Sequence, residues 1–261
     1  MVELLLALRT TRLWDDDAAA LVERLVRLAR KFPLETTIPI FVSRTIECIG
    51  GLAQKTDIAE AVATVTHICK QEGLDPSIRI HALHQIARWG MKGVAGLCAH
   101  AEMLVNIARV AAPRLHQLLA LRALLAIADG ARPPALEYMH TCGVTSVAVG
   151  TLRCGDMTKQ DTALMLLSHM GKCPSAAQVI SKAGVFDAAT ARISHGDYLS
   201  SVSLMTTMIT SDPSNAALAA GAAPVLQKLV CPRCKRPAIV DALLQRIAPG
   251  TPGTSNACCP Y

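Results

Sequence analysis

The chain has 261 residues, a net charge of +6, and hydrophobic residues at 51% against 3% aromatic and 18% charged. Apolar content this high with modest net charge excludes a disordered chain, and a core of Ala, Leu, Val, Ile and Met suits close helix packing. The charge divides as +2 before residue 130 and +4 after it, a mild bias that points away from nucleic acid as a ligand.

The longest uncharged runs span 15 residues (138–152, 213–227 and 247–261), and each holds Gly, Pro or both. About 18 to 20 apolar residues are needed to cross a bilayer, so no transmembrane helix is expected. The opening MVELLLALR has Glu3 and a five-residue apolar run, too short for a secretory signal. Ten cysteines without such a signal point to free thiols in a reducing, cytoplasmic setting.

In chain order, residues 2–13 read as a helix broken by Trp14 and Asp15-Asp16-Asp17, whose carboxylates suit the N-terminus of a helix over 18–31. Pro33 stops that helix, and a third runs over about 38–54. An amphipathic helix over 58–71 ends at Gly73, and Asp75-Pro76-Ser77 starts one running to Trp89. Proline at a first turn loses nothing, because its missing N–H would have no partner there. Short helices are expected over 94–100 and 103–110.

The stretch RLHQLLALRALLAIADG from Arg114 to Gly130 leaves almost no polar face and must be covered on nearly all sides. Its core recurs as Ala82-Leu83, Ala123-Leu124, Ala163-Leu164 and, loosely, Ser203-Leu204, at steps of 41, 40 and 40 residues. A fixed period in that range marks a stacked helical solenoid. After Arg132-Pro133-Pro134, read as a loop, a short helix runs to Cys142 and another over 144–153. Cys142-Gly143-Val144, Ala183-Gly184-Val185 and Ala220-Gly221-Ala222 align, with Glu102 in the same slot one copy earlier. A glycine there allows a sharp turn through positive φ or a close backbone approach.

The stretch Asn215-Ala-Ala-Leu-Ala-Ala-Gly221-Ala-Ala-Pro224-Val-Leu-Gln-Lys-Leu-Val230 resembles the armadillo-repeat pattern N-x-x-x-x-x-G-x-x-P-x-L-x-x-L-L, and the Ala-Leu cores resemble that repeat's third helix. The two-helix HEAT repeat is the structural rival. The resemblance implies an all-α, right-handed α-solenoid of about six three-helix units (1–54, 55–90, 91–130, 131–171, 172–211 and 212–248), followed by a flexible tail over 249–261. It also implies a non-enzymatic binding platform, without cofactor, whose third helices line a concave groove for an extended peptide or partner protein. Nuclear import receptors of the family carry a Trp and, four residues later, an Asn on the third helix. Here the Trp slots hold Arg44, His81, Arg122, Thr162 and Val202; the Asn slots hold Cys48, Gln85, Ala126, Leu166 and Thr206, with Gln245 last. Neither ladder is present, which argues against import-receptor function.

The expected groove grades from basic to apolar. Arg44, His81, Gln85, Arg88 and Arg122 lie in its first half with Trp89 at the edge; Leu166, Met170, Val202, Thr206 and Ile209 lie in its second. Such a surface fits a ligand acidic at one end and apolar at the other, although Leu166, Met170 and Ile209 read equally as core. The alternative is a structural subunit buried by neighbours in a larger cytoskeletal, ciliary or organellar assembly.

Chemistry is sparse. The sequence has no Gly-x-Ser-x-Gly elbow, P-loop or Gly-x-Gly-x-x-Gly. His81 and His84 share a face without a third ligand nearby. Cys231-Pro-Arg-Cys234 has the spacing of half a zinc site but no second pair of suitable geometry, and reads first as an inter-helix loop made basic by Lys228, Arg233, Lys235 and Arg236. Cys258-Cys259-Pro-Tyr fits prenylation badly; palmitoylation of the pair, and membrane-surface contact through the tail, are the weaker readings beside two plain thiols.

Overall fold

The computed structural model describes residues 62, 65, 66, 69, 70, 76–94, 96–109, 113–194, 198–229 and 238–248. The expected helices before residue 58, the acidic cap at Asp15 to Asp17, Arg44, Cys48, the Cys231/Cys234 loop and the tail with Cys258 and Cys259 lie outside them. The described residues are helical, without strands, and the fold is an all-α repeat array. The chain divides into two compact units, residues 1–127 and 128–261.

In the first unit, α1 (Pro76–Met91) opens on proline and is followed by a 3-10 turn (Leu97–His100), α2 (Ala101–Arg109) and α3 (Arg114–Asp129), which runs on past the boundary. The pairs Ala82-Leu83 and Ala123-Leu124 are all fully buried. α1 and α3 meet closely at Gly90, where a Cβ would stand 2.9 Å from the backbone of Ala126 and Ile127. At the other end of the pair, the buried His116 donates from Nε2 to the Pro76 carbonyl at 3.1 Å, across 40 residues of sequence.

The second unit continues with α4 (Pro133–Thr141), α5 (Val144–Thr151), α6 (Met157–Met170), α7 (Pro174–Lys182), α8 (Val185–Ser194) and α9 (Leu199–Ser211). It closes with α10 (Asn215–Ala219), a 3-10 turn (Ala220–Ala222), α11 (Ala223–Gln227) and α12 (Ala238–Ile247). Pro133 and Pro134 begin α4 rather than extending the loop, because the first helical positions need no N–H donor. Asp156 caps α6, its carboxylate accepting from the Lys159 N–H at 3.3 Å.

Gly143 and Gly184 turn from one helix into the next at φ 88° and 70°, a region L side chains rarely enter. Gly221 does not: it lies within a 3-10 turn at negative φ, with open space where its Cβ would be, so neither reason for a glycine applies. The fourth core pair also differs from expectation. Ser203 is exposed, and the buried pair is Leu204-Met205.

Polar side chains tie neighbouring repeats of the second unit together. Asn215 is buried, donates to the Met208 carbonyl at 3.0 Å and accepts from Ser181 Oγ at 2.8 Å. Ser211 donates to the Gly171 carbonyl at 2.9 Å across 40 residues. Ser168 Oγ lies 2.9 Å from Ser203 Oγ and 3.2 Å from Thr207 Oγ1, joining α6 to α9. Contacts that return at this interval are what a stacked array produces.

Candidate binding face

The helix period sets which side chains of α1, α3, α6, α9 and α12 point away from the core. Exposed or half-exposed positions recur on the third helices at His84 and Arg88, Leu125 and Asp129, Met165 and His169, Thr206 and Thr210. Each set follows the last by 40 or 41 residues, so these positions are equivalent. Within each unit they form a candidate face.

Of the residues expected to line a groove, Arg88 and Arg122 are exposed, and His81 and Thr206 half-buried. Gln85 and Trp89 are core, exposed by 3% and 2%, and Leu166 and Met170 are wholly buried, as is Val202. Ile209 and Ala126 are buried as well. The expected apolar end is therefore packing between helices. A step of one residue turns a helix position by about 100°, so slots placed three residues past the Ala of each core pair point into the neighbouring helix instead of outward. Missed were Met165, Leu115 and Leu199, exposed by 46%, 46% and 49%. For Met165 the signal was the phase of the Ala-Leu pair, since the residue two beyond its alanine falls opposite the core; Leu115 and Leu199 do not follow from it.

In the first unit the face mixes cations with apolar groups. Residues 76–128 hold Arg79, Arg88, Lys92, Arg109, Arg114 and Arg122 against one carboxylate, Glu102, which lies on α2. Met91 at the end of α1 is 71% exposed. The stripe on α3 ends at Asp129.

In the second unit the face is nearly neutral. Asp129 Oδ1 lies 3.5 Å from His169 Nε2. Burial of the ring, and then the ammonium of Lys172, hold His169 below its ordinary pKa, outweighing the upward pull of Asp129. The contact is thus neutral imidazole beside carboxylate rather than an ion pair. Arg246 donates to Thr210 Oγ1 at 2.6 Å, and the Asp161 carboxylate is engaged by Arg192.

No group of His, Cys, Asp or Glu able to hold a metal occurs among the described residues. Cys69, Cys98, Cys142, Cys154 and Cys173 are free thiols, and burial pushes the Cys69 thiol up to about 12, which keeps it protonated and unreactive. Among the described residues no helix is long and apolar enough to cross a membrane.

Comparison with known proteins agrees with this geometry. No protein-family model and no curated protein sequence matches the chain. Solved structures do. A designed armadillo repeat protein superposes with a TM-score of 0.68 at 14% identity, covering 88% of this chain and 98% of that one. Another, in complex with the peptide (KR)4, matches with a TM-score of 0.68 at 14% identity over 89% of this chain and 100% of its own. An engineered protein matches at 19% identity with a TM-score of 0.65, over 87% and 94% of the two chains. The fold is armadillo-like.

Proposed function

From an armadillo-like repeat array, we propose that this chain is a non-enzymatic scaffold whose third-helix faces bind an extended peptide or a segment of a partner protein. The observation that carries the reading is the recurrence of outward side chains at equal steps on successive third helices. Such a preformed surface costs little ordering entropy on binding. A designed protein of the same fold is known in complex with a basic peptide, (KR)4. The sign here is reversed: Arg88 and Arg122 stand exposed on α1 and α3, which favours a partner with acidic residues. Free thiols accord with a reducing cytoplasmic setting.

Affinity purification of the full chain from its native source, identified by mass spectrometry, tests the reading when paired with the Arg88→Glu/Arg122→Glu variant. A partner held by the native chain and lost by the folded variant is expected. A partner held equally by both counts against the face.

A second reading, a structural subunit covered by neighbours in a larger assembly, is favoured by scattered apolar exposure: Leu218 at 52%, Leu199 at 49%, Tyr138 at 45% and Val179 at 41%. Gel filtration separates the two. A clean monomer supports the scaffold, and self-association of the isolated chain supports the subunit.

A further inference from the structure

We propose that the face of α1 and α3 binds a partner segment in which carboxylates and apolar side chains are interleaved, so that charge and burial act on the same few residues. This specifies the ligand chemistry of the binding reading above and rests on it.

The sequence alone suggested charge at one end of a groove and apolar contact at the other. The structure interleaves them within one unit. Arg88 is exposed on α1 and Arg122 on α3, one turn from the half-exposed Leu125, with Leu115 46% and Met91 71% exposed at the ends of their helices. These positions lie on two helices in close contact at Gly90, so one short segment can reach both.

A purely acidic ligand would leave Leu115, Leu125 and Met91 wet, and a purely apolar one would cover arginine stems without answering their charge. Burying each exposed apolar side chain tightens binding by roughly threefold to tenfold, and long arginine stems add apolar area of their own. Charge contributes mainly to the rate of encounter and to orientation. Methionine at the rim adapts to side chains of different shape.

The same observations disfavour nucleic acid. Unpaired bases need aromatic platforms, and Trp89, the one aromatic residue between residues 76 and 128, is buried in the core.

The test uses the full chain and fluorescein-labelled peptides, read by anisotropy at low and high salt. The probes are (Asp-Asp-Leu)3, (Asp-Asp-Gly)3, (Lys-Lys-Leu)3 and a short oligothymidylate. Binding should follow (Asp-Asp-Leu)3, fall about tenfold with (Asp-Asp-Gly)3, and vanish with (Lys-Lys-Leu)3. Arg88→Glu/Arg122→Glu should abolish binding. Leu115→Ser should weaken it about threefold to tenfold while leaving its salt dependence unchanged. Circular dichroism confirms that each variant keeps its helix content.

Equal affinity for the leucine and glycine peptides would overturn the proposal, as would tightest binding to the oligonucleotide or unchanged binding by the charge variant. A random peptide library on the same chain separates this failure from that of the wider reading. A library binder insensitive to Arg88 and Arg122 but lost on Met165→Asp would sink the interleaved ligand and leave the scaffold. No binder from the library would remove the peptide-binding scaffold as well.

Discussion

Arg192 on α8 grips Asp161 on α6 across 31 residues, with Nε at 3.0 Å and Nη2 at 2.6 Å from the same carboxylate oxygen. The Arg192 side chain is 8% exposed and the Asp161 side chain 26%, so the pair is largely withdrawn from water. Removing one partner of a buried pair leaves a charge the core cannot solvate. Asp161→Ala should therefore destabilise the chain by about 2–3 kcal/mol, below the fully buried case because Asp161 is partly open. Asp161→Leu combined with Arg192→Met should recover most of that loss. Urea unfolding of the three variants checks this, and equal loss in single and double variants would show that the charge imbalance is not the cause.

Two glycines at equivalent places should respond differently to the same substitution. A Cβ at Gly90 meets the Ala126 and Ile127 backbone at 2.9 Å, and neither helix can yield locally. At Gly171 the nearest atom, at 2.8 Å, is Met208 Sδ in a flexible side chain. Gly90→Ala should cost about 2–3 kcal/mol, whereas Gly171→Ala should stay within about 1 kcal/mol. Chemical denaturation compares them, and the reverse order would contradict the close packing of α1 on α3.

Ser201 is wholly buried, and its hydroxyl has no hydrogen-bond partner. Desolvating that group is uncompensated in the folded state. Ser201→Ala should be neutral or raise stability by about 0.5–1 kcal/mol, seen as a higher melting temperature. A clear drop would mean that the hydroxyl is satisfied in solution.

Acid sensitivity should report on the clasp between α4 and the start of α7. The exposed Glu137 carboxylate accepts from the Cys173 thiol at 2.7 Å and from Ser175 Oγ at 2.8 Å. Those bonds, the thiol's first, hold its pKa below the ordinary 4.5. A carboxylate depressed in the folded state binds fewer protons there than when unfolded. Its contribution is therefore present above the ordinary value and lost as pH falls through the lower folded one. Between pH 7 and pH 3 the native chain should lose stability more steeply than Glu137→Gln. Parallel pH profiles for the two would show that the clasp contributes nothing measurable.

Much of the array was legible because its signals are local or periodic. The Ala-Leu pairs marked three of four buried cores, and Gly143 and Gly184 occupy the left-handed turns that only glycine enters freely. The face was harder. Leu166 and Met170 have the composition of either a groove or a core, and only the phase of the helix decides between them. In α9 that phase moved by one residue, since Ser203 in the alanine slot is exposed and Leu204 fills its place. The Glu137, Cys173 and Ser175 clasp was invisible, because no local pattern shows which loop of one repeat meets which helix of the previous one.

Among the described residues most polar ties between repeats join residues 31 to 40 apart, and Asn215 reaches Met208 across only 7. Each of these ties therefore closes a loop of at most 40 residues, far shorter than the chain. Loop-closure entropy rises slowly with length, so each added repeat meets about the same barrier as the one before. Folding can start in any repeat and spread to its neighbours. A damaged tie such as Asp161–Arg192 should consequently raise hydrogen-exchange rates in α6 and α8 while α1 keeps its protection.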